Sequence, residues 1–167
     1  MYIELQRRDG VVLHACVAHG LRDAVERAAD DGVDLGGARL ENLDLSGANL
    51  ESAKLSGASL ARTNLRGANL EDASLSDAEM TGANLDGANL PRADLRGARL
   101  VGATLRSANL ERSDLRGANF TGADLGAANL ERCDIEGALL DGASFERANL
   151  DGIRGRPRPG NARGPYR

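Results

Sequence analysis

From Leu35 to Leu150 every fifth residue is large and apolar, and each is Leu except Met80, Phe120, Ile135 and Phe145. That makes twenty-four positions in unbroken register. The residue two places earlier is small, as at Ala38, Ala48, Ala53, Ala58 and Ala68; the exceptions are Val33, Leu43, Thr63, Ser113 and Cys133. Gly often stands two places after the apolar residue, as at Gly47, Gly57, Gly67 and Gly82. A period of five fits neither the 3.6 of a helix nor the 2.0 of a strand. It fits a chain that turns a corner every five residues, with one large and one small side chain per unit pointing inward.

A longer period lies over the first. Every twentieth residue from Asn49 is Asn: Asn69, Asn89, Asn109, Asn129 and Asn149. The next column is Leu throughout, and the one after reads Glu51, Glu71, Pro91, Glu111, Glu131 and Asp151. Residues twenty apart therefore stack on one another, four units to a coil. Stacked amides can hydrogen-bond up and down such a column. A core built from repeated Leu and Ala needs few aromatics. This accounts for a chain that is 41% hydrophobic yet only 2% aromatic and lacks Trp.

The units Ala48-Asn49-Leu50 and Ala108-Asn109-Leu110 resemble the pentapeptide-repeat family, and the resemblance covers residues 33–152. It implies an all-β solenoid, a right-handed quadrilateral β-helix. Twenty-four units at four per coil give six coils, rising about 24 Å over five steps at ~4.8 Å each. Leu and Ala fill the interior and leave no room for a ligand.

The ends differ from the array. Ile3 and Leu5, then Asp9-Gly10, then Val11 to Val17 predict a β-hairpin over residues 2–18 with a two-residue turn. Leu21 to Ala29 reads as a short helix stopped by Gly32. Residues 1–32 are expected to form a hairpin-helix cap on the first coil, with the β-helix spanning residues 33–153. Pro157 and Pro159 then end the array, and residues 154–167 are expected to be a disordered basic tail. The resemblance also implies end-to-end homodimers through the C-terminal coil.

Charge is unevenly spread. The net charge is −4, and the five arginines after Ile153 leave residues 1–153 at −9. The acidic column Glu51, Glu71, Glu111, Glu131 and Asp151 is the first candidate partner-binding surface. Some family members protect DNA gyrase from quinolones by imitating duplex DNA, which makes gyrase a candidate partner. Duplex DNA carries about 14 charges over ~24 Å, however, and this column offers five. Arg92, Arg112 and Arg132 run beside it, with Asp94, Asp114 and Asp134 two residues beyond. Opposite-charge ladders of this kind offset the repulsion within each column. The second candidate is Arg154-Gly155-Arg156-Pro157, which matches the core of an AT-hook and suggests a weak nucleic-acid tether. His14, Cys16 and His19 are three metal-ligand types within six residues but lack a fourth, and Cys133 reads as a substitute for Ala.

No catalytic constellation appears: the array contains no His, and there is no phosphate loop or nucleophile elbow. No apolar run approaches the ~20 residues of a membrane span. Met1 to Gly10 lacks the features of a secretory signal, and two distant cysteines suggest no disulfide framework. The expectation is a cytoplasmic, non-catalytic protein-interaction scaffold without cofactor or metal, its protein partner unknown.

Overall fold

The computed structural model describes residues 1–158; Pro159 and the rest of the basic tail, with Arg163 and Arg167, lie outside the described residues. Each five-residue unit is a short extended segment followed by a corner. At the corner, the residue two after the apolar one has φ between +56° and +70° in all twenty-four units. In every unit except that of Leu40, the next N–H closes the turn onto the apolar residue's carbonyl, as from Ala108 to Leu105 at 3.1 Å. These are type II turns, which favour Pro at their first central position and Gly at the second. Pro91 occupies the first kind of position. Thirteen of the second are Gly and eleven are not, Arg62 and Ala127 among them.

Extended segments twenty residues apart form parallel bridges, such as Asn49 with Asn69 and Asn69 with Asn89. The Leu50 N–H donates to the Asn69 carbonyl at 2.7 Å, and the Asn69 N–H donates to the Ala48 carbonyl at 2.9 Å. This bracket recurs from coil to coil, so hydrogen bonds run along the rod axis. The Leu and Ala columns between these walls are buried almost completely. Three polar side chains interrupt the small column, and each donates to the carbonyl of a leucine in the coil before. Thr63 Oγ1 reaches Leu40 at 2.6 Å, Ser113 Oγ reaches Leu90 at 2.6 Å and Cys133 Sγ reaches Leu110 at 2.8 Å.

The first coil is covered by β1 (Tyr2–Gln6), β2 (Val12–Val17) and α1 (Leu21–Asp30). The hairpin loop has three residues, Arg8, Asp9 and Gly10, where a two-residue turn was expected. Arg7 N–H bonds the Val11 carbonyl at 2.9 Å and Gly10 N–H bonds the Arg7 carbonyl at 3.0 Å, with Gly10 at φ +84°. That is a type I turn followed by a left-handed residue. Asp9 Oδ1 accepts the Val11 N–H at 3.1 Å, so Asp9 belongs to the turn's exit. α1 ends in a Schellman motif: Gly32, at φ +68°, donates to Ala29, and Val33 donates to Ala28. Lys54 Nζ also bonds the Gly32 carbonyl at 3.1 Å.

Ile3, Leu5, Ala24, Val25 and Ala28 extend the solenoid core into the cap. Two open N–H groups of the first coil are met there. Arg39 donates to the Gln6 carbonyl at 2.8 Å, and Asn49 donates to Glu26 Oε1 at 2.9 Å.

The opposite end departs from the expected boundary, because residues 154–158 continue the stack. Arg154 N–H bonds Cys133, Gly137 N–H bonds Arg156 and Arg158 N–H bonds Ala138, each at 2.8 Å. The array stops at Gly155, which stands where the next inward apolar residue would fall. It sits at φ +81°, and a Cβ there would lie 2.5 Å from the Glu136 nitrogen. Phe145, Leu150 and Ile153 are consequently only half-buried.

The eleven corners with a Cβ carry strain of about 1 kcal/mol each. Replacing Ala127, which is exposed, with Gly should raise the urea-unfolding free energy by about 1 kcal/mol. Gly87→Ala, with open space around the added methyl, should lower it by a similar amount. Equal midpoints for the two variants would contradict this reading.

Candidate interaction surface

The Asn column forms a continuous amide ladder. Asn69, Asn89, Asn109, Asn129 and Asn149 each donate Nδ2–H to the Oδ1 of the Asn below, at 3.0 to 3.2 Å. The same oxygens accept the N–H two residues on, as from Glu111 to Asn109 at 3.2 Å and from Glu131 to Asn129 at 3.1 Å. Asn49 and Asn89 lack this second bond, Asn89 because Pro91 has no N–H to give. The ladder therefore braces both the stack and the corner beside it, consuming the amides in structure.

The acidic column stands next to this ladder, and most of its charge is already met. Arg92 bridges Glu71 and Asp72, the latter at 2.8 Å. Arg112 lies 3.4 Å from Glu111, and Arg132 lies 3.5 Å from Glu131. Glu51 accepts Asn69 Nδ2–H at 3.3 Å, and Asp151 stands exposed at the last rung. The arginine column thus turns back toward the glutamates. The Asp94 and Asp114 carboxylates take other partners, Arg96 at 2.7 Å and Arg116 at 2.6 Å, with Arg96 also 3.7 Å from Asp114. The sequence reading missed Arg96 and Arg116. Their signal was a two-residue spacing, which places both side chains on the outer side of one face.

The remaining faces repeat this pairing. Arg106 meets Asp124 at 2.7 Å and Arg99 meets Glu79 at 3.0 Å. One corner is different: Thr81-Gly82, Val101-Gly102 and Thr121-Gly122 succeed one another without a charge. Inside the rod, a hollow of about 10 Å³ near Phe120 and Phe145 has room for no more than one water.

The other sequence candidates are dispersed or held. Gly155, Arg156 and Pro157 follow Arg154 across the last coil, and Arg156 N–H bonds Glu136 Oε2 at 2.9 Å. Minor-groove entry by these four residues would have to break that backbone attachment. His14 and Cys16 sit opposite Leu5 and Ile3 in the hairpin, and His19 lies beyond it at the helix start. Among the described residues no three metal-ligating side chains converge. No helix there is long and apolar enough to cross a membrane.

Burial pushes the Cys133 thiol up to about 12. At pH 8 a thiol reagent should modify half-buried Cys16 in the native protein and reach Cys133 only after unfolding; two fast native thiols would refute the packing of Cys133.

Ion pairing also sets an acid limit. Hydrogen bonds from Arg92, Arg96, Arg116 and Arg106 hold Asp72, Asp94, Asp114 and Asp124 below the usual carboxylate range. Groups depressed in the folded state stabilise it above their unfolded pKa of about 3.9 and lose that contribution as pH falls through the folded value. The urea midpoint should therefore be level from neutrality to about pH 5 and fall below about pH 4. A midpoint that rises on acidification would contradict the assignment.

Comparison with known proteins agrees with this architecture. A family model described as Pentapeptide repeats (8 copies) matches residues 31–67, 53–91, 98–137 and 128–152. Rfr23, a pentapeptide repeat protein from the cyanobacterium Cyanothece 51142, is 24% identical; the match covers 71% of this chain and 88% of that one, with a TM-score of 0.50. The protein alr5209 from Nostoc PCC 7120 is 32% identical over 68% of this chain and 84% of its own, with a TM-score of 0.25. QnrB1, a plasmid-mediated fluoroquinolone resistance protein, is 26% identical over 67% and 60%, with a TM-score of 0.35. No curated protein matches the chain. The repeat register and the family match lead to one statement: the chain belongs to the pentapeptide-repeat family, whose members are right-handed quadrilateral β-helices.

Proposed function

We propose that this protein is a non-catalytic scaffold that binds another protein through the outside of its β-helix. The observation that carries this reading is the fixed external grid. Side chains are placed by a backbone bonded at every coil, while the Leu and Ala interior is full. A partner laid along such a face meets groups already ordered, so little conformational entropy is lost on binding. The charged columns are largely paired internally and serve the rod first. Long faces with a charge-free corner at Thr81, Val101 and Thr121 remain for contact.

A DNA-mimicking modulator of gyrase is the second reading, favoured by the −9 net charge of residues 1–153. It requires a stretch of unneutralised acid, and Arg92, Arg112 and Arg132 interrupt the column that would supply it.

Titration into a supercoiling assay of purified gyrase, with and without a quinolone, separates the two. The scaffold reading expects no inhibition and no drug rescue at a large molar excess. Inhibition abolished by Glu111→Lys together with Glu131→Lys would establish the DNA mimic instead. For the scaffold itself, a partner captured by the wild type should be lost with one face's variant, Val101→Arg or Glu111→Lys, and kept with the other's. Loss with neither would count against a specific face.

A further inference from the structure

Among the described residues the exposed large apolar side chains are confined to one end of the rod. They are Met1, Tyr2, Val11, Val12, Val17 and Leu21, all in the cap. Tyr2 and Val17 are 68% and 70% exposed and are direct cross-strand partners on the outer face of the hairpin. β2 pairs only with β1 among the described residues. The Ala18 N–H donates to the Met1 carbonyl at 2.9 Å. Alternation along an antiparallel pair then makes Ile3–Cys16 and Leu5–His14 the doubly bonded pairs. The backbone groups of Ala15 and Val17 consequently face the open side of β2.

Open edges are ordinarily protected by Lys and other charges, by Pro or by β-bulges, and β2 carries one bulge, at Leu13. Residues 11–21 contain no Lys, Arg, Asp, Glu or Pro, in a chain that is 28% charged. An uncharged run of this length on a free, β-branched edge is a pairing surface.

We propose that β2 pairs with β2 of a second copy, antiparallel about a two-fold axis at Ala15, to make a four-stranded sheet. In this register the two Ala15 residues pair directly and Tyr2 and Val17 of both copies contribute to one apolar face, while Leu13, left without a partner by the bulge between Leu5 and Gln6, stays packed against its own core. A second copy suits the edge because identical neutral strands meet without like-charge conflict, whereas a charged strand would find no counter-ion along β2. β1 meets the first coil through the Gln6 carbonyl, which accepts the Arg39 N–H, and just beyond it Arg7 bridges Ala38, so β2 lies on its far side. The acidic solenoids then point apart, with two caps between them and beyond the ~8 Å screening length of physiological salt. A stable interface needs about 1,000 Å² in total, so Met1, Tyr2 and Val12 around the paired strands must share in it.

Light scattering and sedimentation at tens of micromolar test this directly. The expected mass is twice the 17.5 kDa of the chain. Ala15→Lys with Val17→Lys should give a monomer with an unchanged urea midpoint for the rod. Tyr2→Ser should shift dissociation to about tenfold higher concentration. If the lysines unfold the hairpin by circular dichroism, Val17→Thr keeps strand propensity and should weaken the dimer in the same direction. A monomeric wild type overturns the proposal. So does a dimer that survives the edge variants and dissolves in Leu150→Lys, which would place the interface at the C-terminal coil.

Discussion

Every corner of this molecule requires one residue in the left-handed region, and the rest of the fold hangs on that requirement. Only with φ near +60° at each second corner position does the chain turn a quarter every five residues and so lie, after four units, over its predecessor twenty residues back. Once it does, the backbone bracket between coils follows, and with it the inward columns of Leu and Ala. The conformation is set at the corner, the hydrogen bonds follow from it, and core filling is the result. The eleven corners that are not Gly show that the stack can hold residues in a conformation they disfavour. Several of these are the arginines of the pairing network. At Arg92 and Arg112 corner strain is exchanged for a side chain able to reach a carboxylate.

The columns were legible because they depend only on period. Leu at every fifth residue, Ala two before it and Asn at every twentieth translate directly into core and ladder, since a five-residue turn fixes which side chains face inward. The direction of the surface side chains was less accessible. Arg92 and Asp94 are neighbours in sequence, yet Arg92 reaches down one coil to Asp72 while Asp94 is met by Arg96. Arginine has several rotatable bonds and several acceptors within reach on a flat grid, so period alone does not choose among them. The polar residues of the small column were legible as exceptions. Their purpose was not, because the leucine carbonyl that each one caps lies twenty-three residues away.

Composition misled at both ends. Arg154 to Pro157 resemble a solvated tail because Arg, Gly and Pro are poor strand formers, but a parallel rung needs only backbone donors and acceptors. Arg154 and Arg156 supply these as well as any residue. Asp9-Gly10 marked the turn correctly but not its length, since Gly10 can take the left-handed position of either loop. The cap was readable as elements and not as connections. Glu26 looks like one more exposed helical acid until Asn49's N–H is found beneath it.

The twenty-residue register gives the chain a phase, much as codons give a message a reading frame. An insertion of twenty residues would lengthen the rod by one rung and leave every column intact. An insertion of five would preserve the local turn and the core yet rotate everything after it by a quarter turn. Glutamates would then stack over the next face, and Asn149 would leave the ladder that begins at Asn49. Length in this protein can change smoothly only in whole coils, and the angle between its cap and any downstream surface can change only in quarter turns.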